Sequence, residues 1–218
     1  MAERFSLLRR LGLCDRRGAV AAEFVLVLPL FFLIMLMTAD VVRVFRAQLR
    51  TEMVVVQIGQ IVSQCTRITA EDFTHAEFGF WAHAARIAAD RVDINSTTGG
   101  GMIVSVLGRN NNQNSLRWQR RTGNTTLQSV FGSMTSPTPV LRGRNGTPFI
   151  VPTGQTLFAT EVFGIIEPGP VGAGLIGTLL PGATRGVTFF LSRATDPTRL
   201  QQEPTTPTPP APPRDCTA

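Results

Sequence analysis

Glu23 stands five residues after Gly18 and just inside an apolar run, Ala19 to Ala39, in which it is the sole charge. An ionised carboxylate in hydrocarbon costs about 2.5 to 3.5 kcal/mol on insertion scales, so such a residue has a partner or a function. One reading keeps it near the interface, where it snorkels and favours the helix N-terminus through the macrodipole. A second takes account of Gly18. A cut after Gly18 gives Ala19 a free ammonium and makes Glu23 the fifth residue of the new chain, one helical turn away. The two charges can then neutralise each other, within one chain or between helices packed side by side.

Other constellations carry less chemistry. Gly172, Gly174 and Gly177 satisfy the dinucleotide-loop spacing, but that loop must open a helix whose N-terminus meets pyrophosphate. Pro181 and Gly182 leave no room for one, so a loop and no cofactor is expected. His75 and His83 lie eight residues apart, with Glu71 one turn before His75. Without a CxxC or HExxH beside them they cannot close a tetrahedral site, and no metal is expected. No local Ser, His and acid signature marks a catalytic residue. The chain contains no Lys, which removes Schiff-base and P-loop lysine chemistry. Its charge of +6 and pI near 11.0 come from Arg. Apart from Arg9, Arg10, Arg16 and Arg17 and a group at Arg117, Arg120 and Arg121, the arginines are scattered, so no nucleic-acid partner is expected. Asn95, Asn124 and Asn145 open glycosylation-type triplets and are read as loop residues.

The elements that must position Glu23 follow from pattern. Ala19 to Ala39 is long enough to cross about 30 Å of hydrocarbon. Five Arg against Glu3 and Asp15 precede it, which holds the N-terminus in the cytoplasm and sends the rest across. A conventional secretory cut is disfavoured by the length of the run and by Met37 where a small residue is wanted. Val41, Val44, Phe45, Leu49, Met53 and Val56 continue the helical spacing to about Ser63, making a stalk on the order of 65 Å long whose outer half a small domain must cover. Pro29 should bend it. Thr69 as N-cap with Glu71 and Asp72 predicts a second helix over 70–91, with Phe73, Ala76, Phe80, Ala84 and Ile87 as its apolar stripe. Strands are expected at 102–107, 116–121, 155–166 and 186–193, between Asn-, Gly- and Pro-rich loops. Residues 203–213, EPTTPTPPAPP, predict an extended polyproline tail. The fold class is α+β, with a long N-terminal transmembrane and stalk helix, a second helix, a small antiparallel sheet and a Pro-rich tail.

An Arg-rich leader ending in RRG, then AVAAEF and an apolar helix with Pro29, resembles the class III signal of type IV pilins. More narrowly, RRGAVAAEFVLVLPLFFLIMLMTADVVRVFRAQLR looks like the TadE/TadF pseudopilins of the tight-adherence (Flp) pilus system. The resemblance is dense over residues 16–50 and weaker to 64, with a softer likeness in the strand, loop, strand layout of 157–194. It implies cleavage between Gly18 and Ala19 and an assembly role for Glu23. The implied domains are a leader at 1–18, a transmembrane and stalk helix at 19–64, an extracytoplasmic α+β domain at 65–200 and a tail at 201–218. The implied protein is a pilin-like, non-enzymatic minor pseudopilin of the bacterial inner membrane, in contact with membrane lipid, its C-terminal domain periplasmic. Its implied partners are a prepilin peptidase, the major pilin, other minor pseudopilins and the inner-membrane assembly platform. The alternative is an uncleaved bitopic protein with a periplasmic binding or sensor domain. With Cys14 in the leader, Cys65 and Cys216 remain in an oxidising compartment and permit one pairing, a bridge tying the tail to the stalk; free thiols or an intermolecular bond are the alternatives.

Overall fold

A computed structural model describes residues 16–89, 92–142, 145–166 and 182–206, with side chains from residue 21 onward in the first helix. That helix, α1 (Arg16–Gln64), has 49 residues, about 74 Å at 1.5 Å per residue. It ends one residue beyond the expected Ser63. It is continuous through Pro29, whose missing N–H leaves the Val25 carbonyl without its usual intrahelical donor. Of the described residues, those up to Arg43 belong to one compact unit and those from Val44 on, with the sheet, to a second.

Within the first unit α1 turns Phe24, Leu26, Phe31 and Met35 outward, as a lipid-facing helix does. The Thr38 hydroxyl donates to the Ile34 carbonyl at 2.9 Å and so leaves no polar group unpaired there. Asp40, immediately past the apolar run, is 4 % exposed.

In the second unit α1 buries Ala47, Thr51, Val54, Val55, Ile58 and Val62, spaced by three and four. This differs from the stripe expected from sequence. Of those six residues only Val44 is packed against the core, while Val41, Phe45, Leu49, Met53 and Val56 are exposed. The helix is apolar on two faces here, and the face bearing small residues, Ala47, Thr51 and Gly59, is the one that can approach a sheet closely. At Gly59 a Cβ would stand 2.7 Å from the Phe190 ring, and at Gly186 one would stand 2.8 Å from Val55 Cγ2.

The helix predicted over 70–91 forms as two, α2 (Ala70–Thr74) and α3 (Phe80–Ala88). Asp72 Oδ2 accepts from both the Thr69 N–H (2.7 Å) and its hydroxyl (2.9 Å), so the expected start holds. The break comes at His75, which leaves helical dihedrals at φ −59°, ψ 128°. Its Nδ1 accepts from the Glu77 and Phe78 N–H groups, each at 3.3 Å. Gly79 restarts the chain where the Phe73 and His75 carbonyls leave no space for a side chain. Ala76, assigned to the apolar stripe, is exposed as a result. Phe73 and Phe80 still meet, edge to face, at 5.1 Å.

Four strands make an antiparallel sheet in the order β2-β1-β3-β4: β1 (Gly101–Asn110), β2 (Gln113–Gly123), β3 (Leu157–Ile165) and β4 (Ala183–Leu191). The β1–β2 connection is a two-residue loop with Asn111 and Asn112 at φ 46° and 62°, the positive-φ pair that a type I′ hairpin requires of Asn or Gly. On one face Met102, Val104, Val106, Trp118, Phe158 and Val162 join the core that α1 covers. On the other, Leu107, Leu116, Leu157 and Ala159 are covered by Phe131, Leu141 and Val151 from the long connection between β2 and β3. Buried on both faces, β1 shows no polar alternation until its end. A 3-10 turn (Pro197–Gln201) follows β4. Its Leu200 carbonyl accepts from Trp118 Nε1 at 2.8 Å, and the Pro204 carbonyl accepts from Arg120 at 2.6 Å.

Candidate functional site

Gly18 and Ala19 have helical backbone in the first turn of α1. Glu23 lies one turn further on, at the i+4 position from Ala19, with its side chain exposed. Ala19 and Glu23 therefore share one side of α1, as a pairing of ammonium and carboxylate requires.

The same helix keeps an uncovered apolar stripe in the second unit. Phe45, Leu49, Met53 and Val56, spaced 4, 4 and 3, are exposed, Phe45 at 66 %. Arg46, Arg50 and Glu52 lie beside it. Large side chains so arranged gain by meeting another apolar surface, and an uncovered series is the mark of an interaction face.

Two acidic residues were missed by sequence reasoning. Asp40 Oδ1 is 4.0 Å from Arg43 Nη1, and Oδ2 has no hydrogen-bond partner among the described residues. Its signal was available, a charge at the edge of a long apolar run. Glu161 in β3 is wholly buried. Its Oε1 accepts from Arg185 Nη2 at 2.8 Å and from the Val130 N–H at 3.1 Å. Oε2 accepts from the Ser129 hydroxyl, and Ser129 Oγ accepts in turn from the Phe131 N–H at 3.1 Å. This cluster fastens the long connection to the sheet, and a lone acid inside LFATEVFGI was its trace in the sequence.

The histidines do not converge. His75 is engaged at the break between α2 and α3, while His83 on α3 is held below its usual pKa by partial burial and, second, by Arg86. Among the described residues no three His, Cys, Asp or Glu side chains gather to hold a metal. Asp196 is held below the usual carboxylate range chiefly by the Thr198 hydroxyl, 2.6 Å away. Cys65 is buried and disulfide-bonded. Cys216 and the glycine run 172–177 lie outside the described residues.

One helix thus carries Gly18 and Ala19, the lone acid Glu23 and the uncovered stripe. Residues 18–62 match the TadE-like protein family. No curated protein and no solved structure matches the chain. The TadE-like segment begins at Gly18, and its other end falls two residues before the end of α1. The sheet and its connections lie beyond it. The segment also covers most of the one helix among the described residues long and apolar enough to cross a membrane. The chain is thus similar to the TadE-like family over this helix alone, and the helix is long and apolar enough to cross a membrane.

Proposed function

We propose that the chain is a minor pseudopilin, cut after Gly18 by a prepilin peptidase, held in the bacterial inner membrane and used in assembling an adhesive Flp pilus. The N-terminus of the precursor is cytoplasmic and the α+β domain periplasmic. Its work is structural, as in TadE-like pilus proteins generally, and its partners are the peptidase, the major pilin, other minor pseudopilins, the assembly platform and lipid. The observation that carries this reading is the second apolar face of α1. A helix that only anchored a soluble domain would have no use for Phe45, Leu49, Met53 and Val56 in water, whereas a subunit that packs against neighbouring helices needs such a face along its length. Glu23 serves the same step by neutralising the ammonium of Ala19.

An uncut anchor is the second reading, favoured by the helical backbone at Gly18 and Ala19. Intact mass and N-terminal sequencing of the membrane-bound protein separate the two. Processing gives Ala19 as first residue, and Gly18→Leu leaves the precursor. Met1 on the whole membrane population, or a normally sized mature form in Gly18→Leu cells, overturns the processed reading.

A further inference from the structure

β4 ends the sheet, and two hydrogen bonds fix which way its backbone groups point. The Ile166 N–H donates to the Gly182 carbonyl at 3.0 Å, and the Ser192 N–H donates to the Thr156 carbonyl at 2.8 Å. Between these, Thr184, Gly186, Thr188 and Phe190 oppose Gly164, Val162, Thr160 and Phe158. Hydrogen-bonded pairs alternate in an antiparallel ladder, so the even-numbered residues of β4 turn their backbone groups toward β3. Ala183, Arg185, Val187, Phe189 and Leu191 turn theirs to the free edge, and among the described residues no backbone bond outside the ladder reaches them.

Those five residues also put their side chains on the face of the sheet away from α1, where all are exposed. Natural proteins guard such an edge with charge, proline or a covering segment. The opposite edge is guarded in this way, since β2 carries Arg117, Arg120 and Arg121. β4 has one charge, Arg185, and that guanidinium is already engaged by Glu161 at 2.8 Å and lies 4.9 Å from the Phe163 ring centroid. What remains is a nine-residue edge on which Val187, Phe189 and Leu191 are exposed, Phe189 also meeting the Phe131 ring edge to face at 5.9 Å.

We infer that this edge joins the β4 edge of a second copy, antiparallel, about a two-fold axis at Val187, giving one continuous eight-stranded sheet. The register follows from the strand itself. Only a centre at Val187 engages all five outward residues, pairing Val187 with its mate, Arg185 with Phe189 and Ala183 with Leu191. Arg185 then meets a second phenyl ring as it already meets Phe163, a favourable cation–π arrangement. A parallel in-register pairing stacks Arg185 on its mate and is opposed by like charge. This interface stands on β4 alone and holds whether or not the chain is cut after Gly18.

The test uses the full chain in detergent with Cys14→Ser. Directly opposed residues of a hydrogen-bonded pair have Cα atoms about 5.5 Å apart, within disulfide reach. Val187→Cys should pass under mild oxidation into a disulfide dimer, at least about tenfold more than Ala183→Cys, which faces Leu191. Val187→Pro removes one outward N–H and no bond to β3. It should lower the sedimenting mass from two protomers to one while the circular dichroism is kept. A monomeric parent chain, equal cross-linking of the two Cys variants, adducts to other proteins alone, or an unchanged dimer in Val187→Pro each overturns the proposal.

Discussion

Glu161 and Arg185 form an ion pair of 2.8 Å in which the carboxylate is wholly buried and the guanidinium is half in water. The asymmetry decides what each side is worth. Without Glu161, Arg185 can turn to solvent, but the Ser129 hydroxyl and the Val130 N–H lose their acceptor where they stand. Buried groups left unpaired cost about 1 to 3 kcal/mol each. Glu161→Ala should therefore destabilise the domain by about 2 to 3 kcal/mol, and Arg185→Ala by at least as much, because it leaves a wholly buried carboxylate without its counter-charge. In a chain of this size that is a fall in melting temperature of about 5 to 10 °C for the first. Thermal unfolding of the detergent-solubilised protein reads it, and an Arg185→Ala variant as stable as the parent chain would contradict the account.

Gly59 lies in α1, where alanine is ordinarily better by about 1 kcal/mol. Here a Cβ meets Phe190 at 2.7 Å and Thr188 Cγ2 at 2.9 Å, and overpacking of a tight site costs about 1 to 3 kcal/mol. Gly59→Ala should thus lose stability despite its better propensity, and Gly59→Leu should lose several times more. Gln60→Ala, on the exposed side of the next position, should be neutral or slightly stabilising. A rise in melting temperature for Gly59→Ala would mean that helix and strand are not held at this spacing.

Cys65 is bonded, and we propose Cys216 as its partner. Closing a loop of about 150 residues stabilises by up to roughly 4 to 5 kcal/mol in the loop-entropy model. Intact mass should rise by two protons on reduction without change of oligomer, and Cys216→Ser should lower the melting temperature as reduction does. Two thiols alkylated before reduction, or a bond running between chains, would rule this pairing out.

The long helix, the four strands and their antiparallel pairing were legible because apolar runs and turn residues report backbone state directly. Asn111 and Asn112 show this well, since a two-residue loop admits few residue types. What failed was any reading that depended on which of two apolar faces is used. Phe45, Leu49 and Met53 form a stripe as regular as Ala47, Thr51 and Val54, and periodicity cannot tell a face that meets the chain's own sheet from one left for a partner. Small residues decide it, because only they admit the close crossing at Gly59 and Gly186, but that needs knowledge of what crosses. The break at His75 was hidden for a related reason. Its cause is a side chain capping two N–H groups beyond it, and Phe73 and Phe80 keep helical spacing across the interruption. At the candidate site, Gly18, Ala19 and Glu23 were legible as a local pattern, while the network of Ser129, Glu161 and Arg185 joins residues 24 and 32 apart in the chain.

Glu23 gives the sharpest test of assembly. If it neutralises the ammonium of Ala19, Glu23→Ala should still insert and fold, since the helix loses only a charge that is costly in lipid. Its exposed position on α1 means that no packing within the chain is lost. The next step should fail, because the cationic amine must enter an apolar helix bundle without a counter-charge, and an uncompensated buried charge is strongly unfavourable. Glu23→Gln should fail in the same way, as it keeps shape and loses charge. Glu23→Asp, shorter by one methylene, should restore part of the function. The measurements are pilus yield and surface adherence, set against the amount of processed protein in the membrane. Full piliation by Glu23→Ala and Glu23→Gln at normal protein level would make Glu23 an interfacial acid with no part in assembly. The uncovered stripe Phe45, Leu49, Met53 and Val56 would then carry the case for helix packing without Glu23.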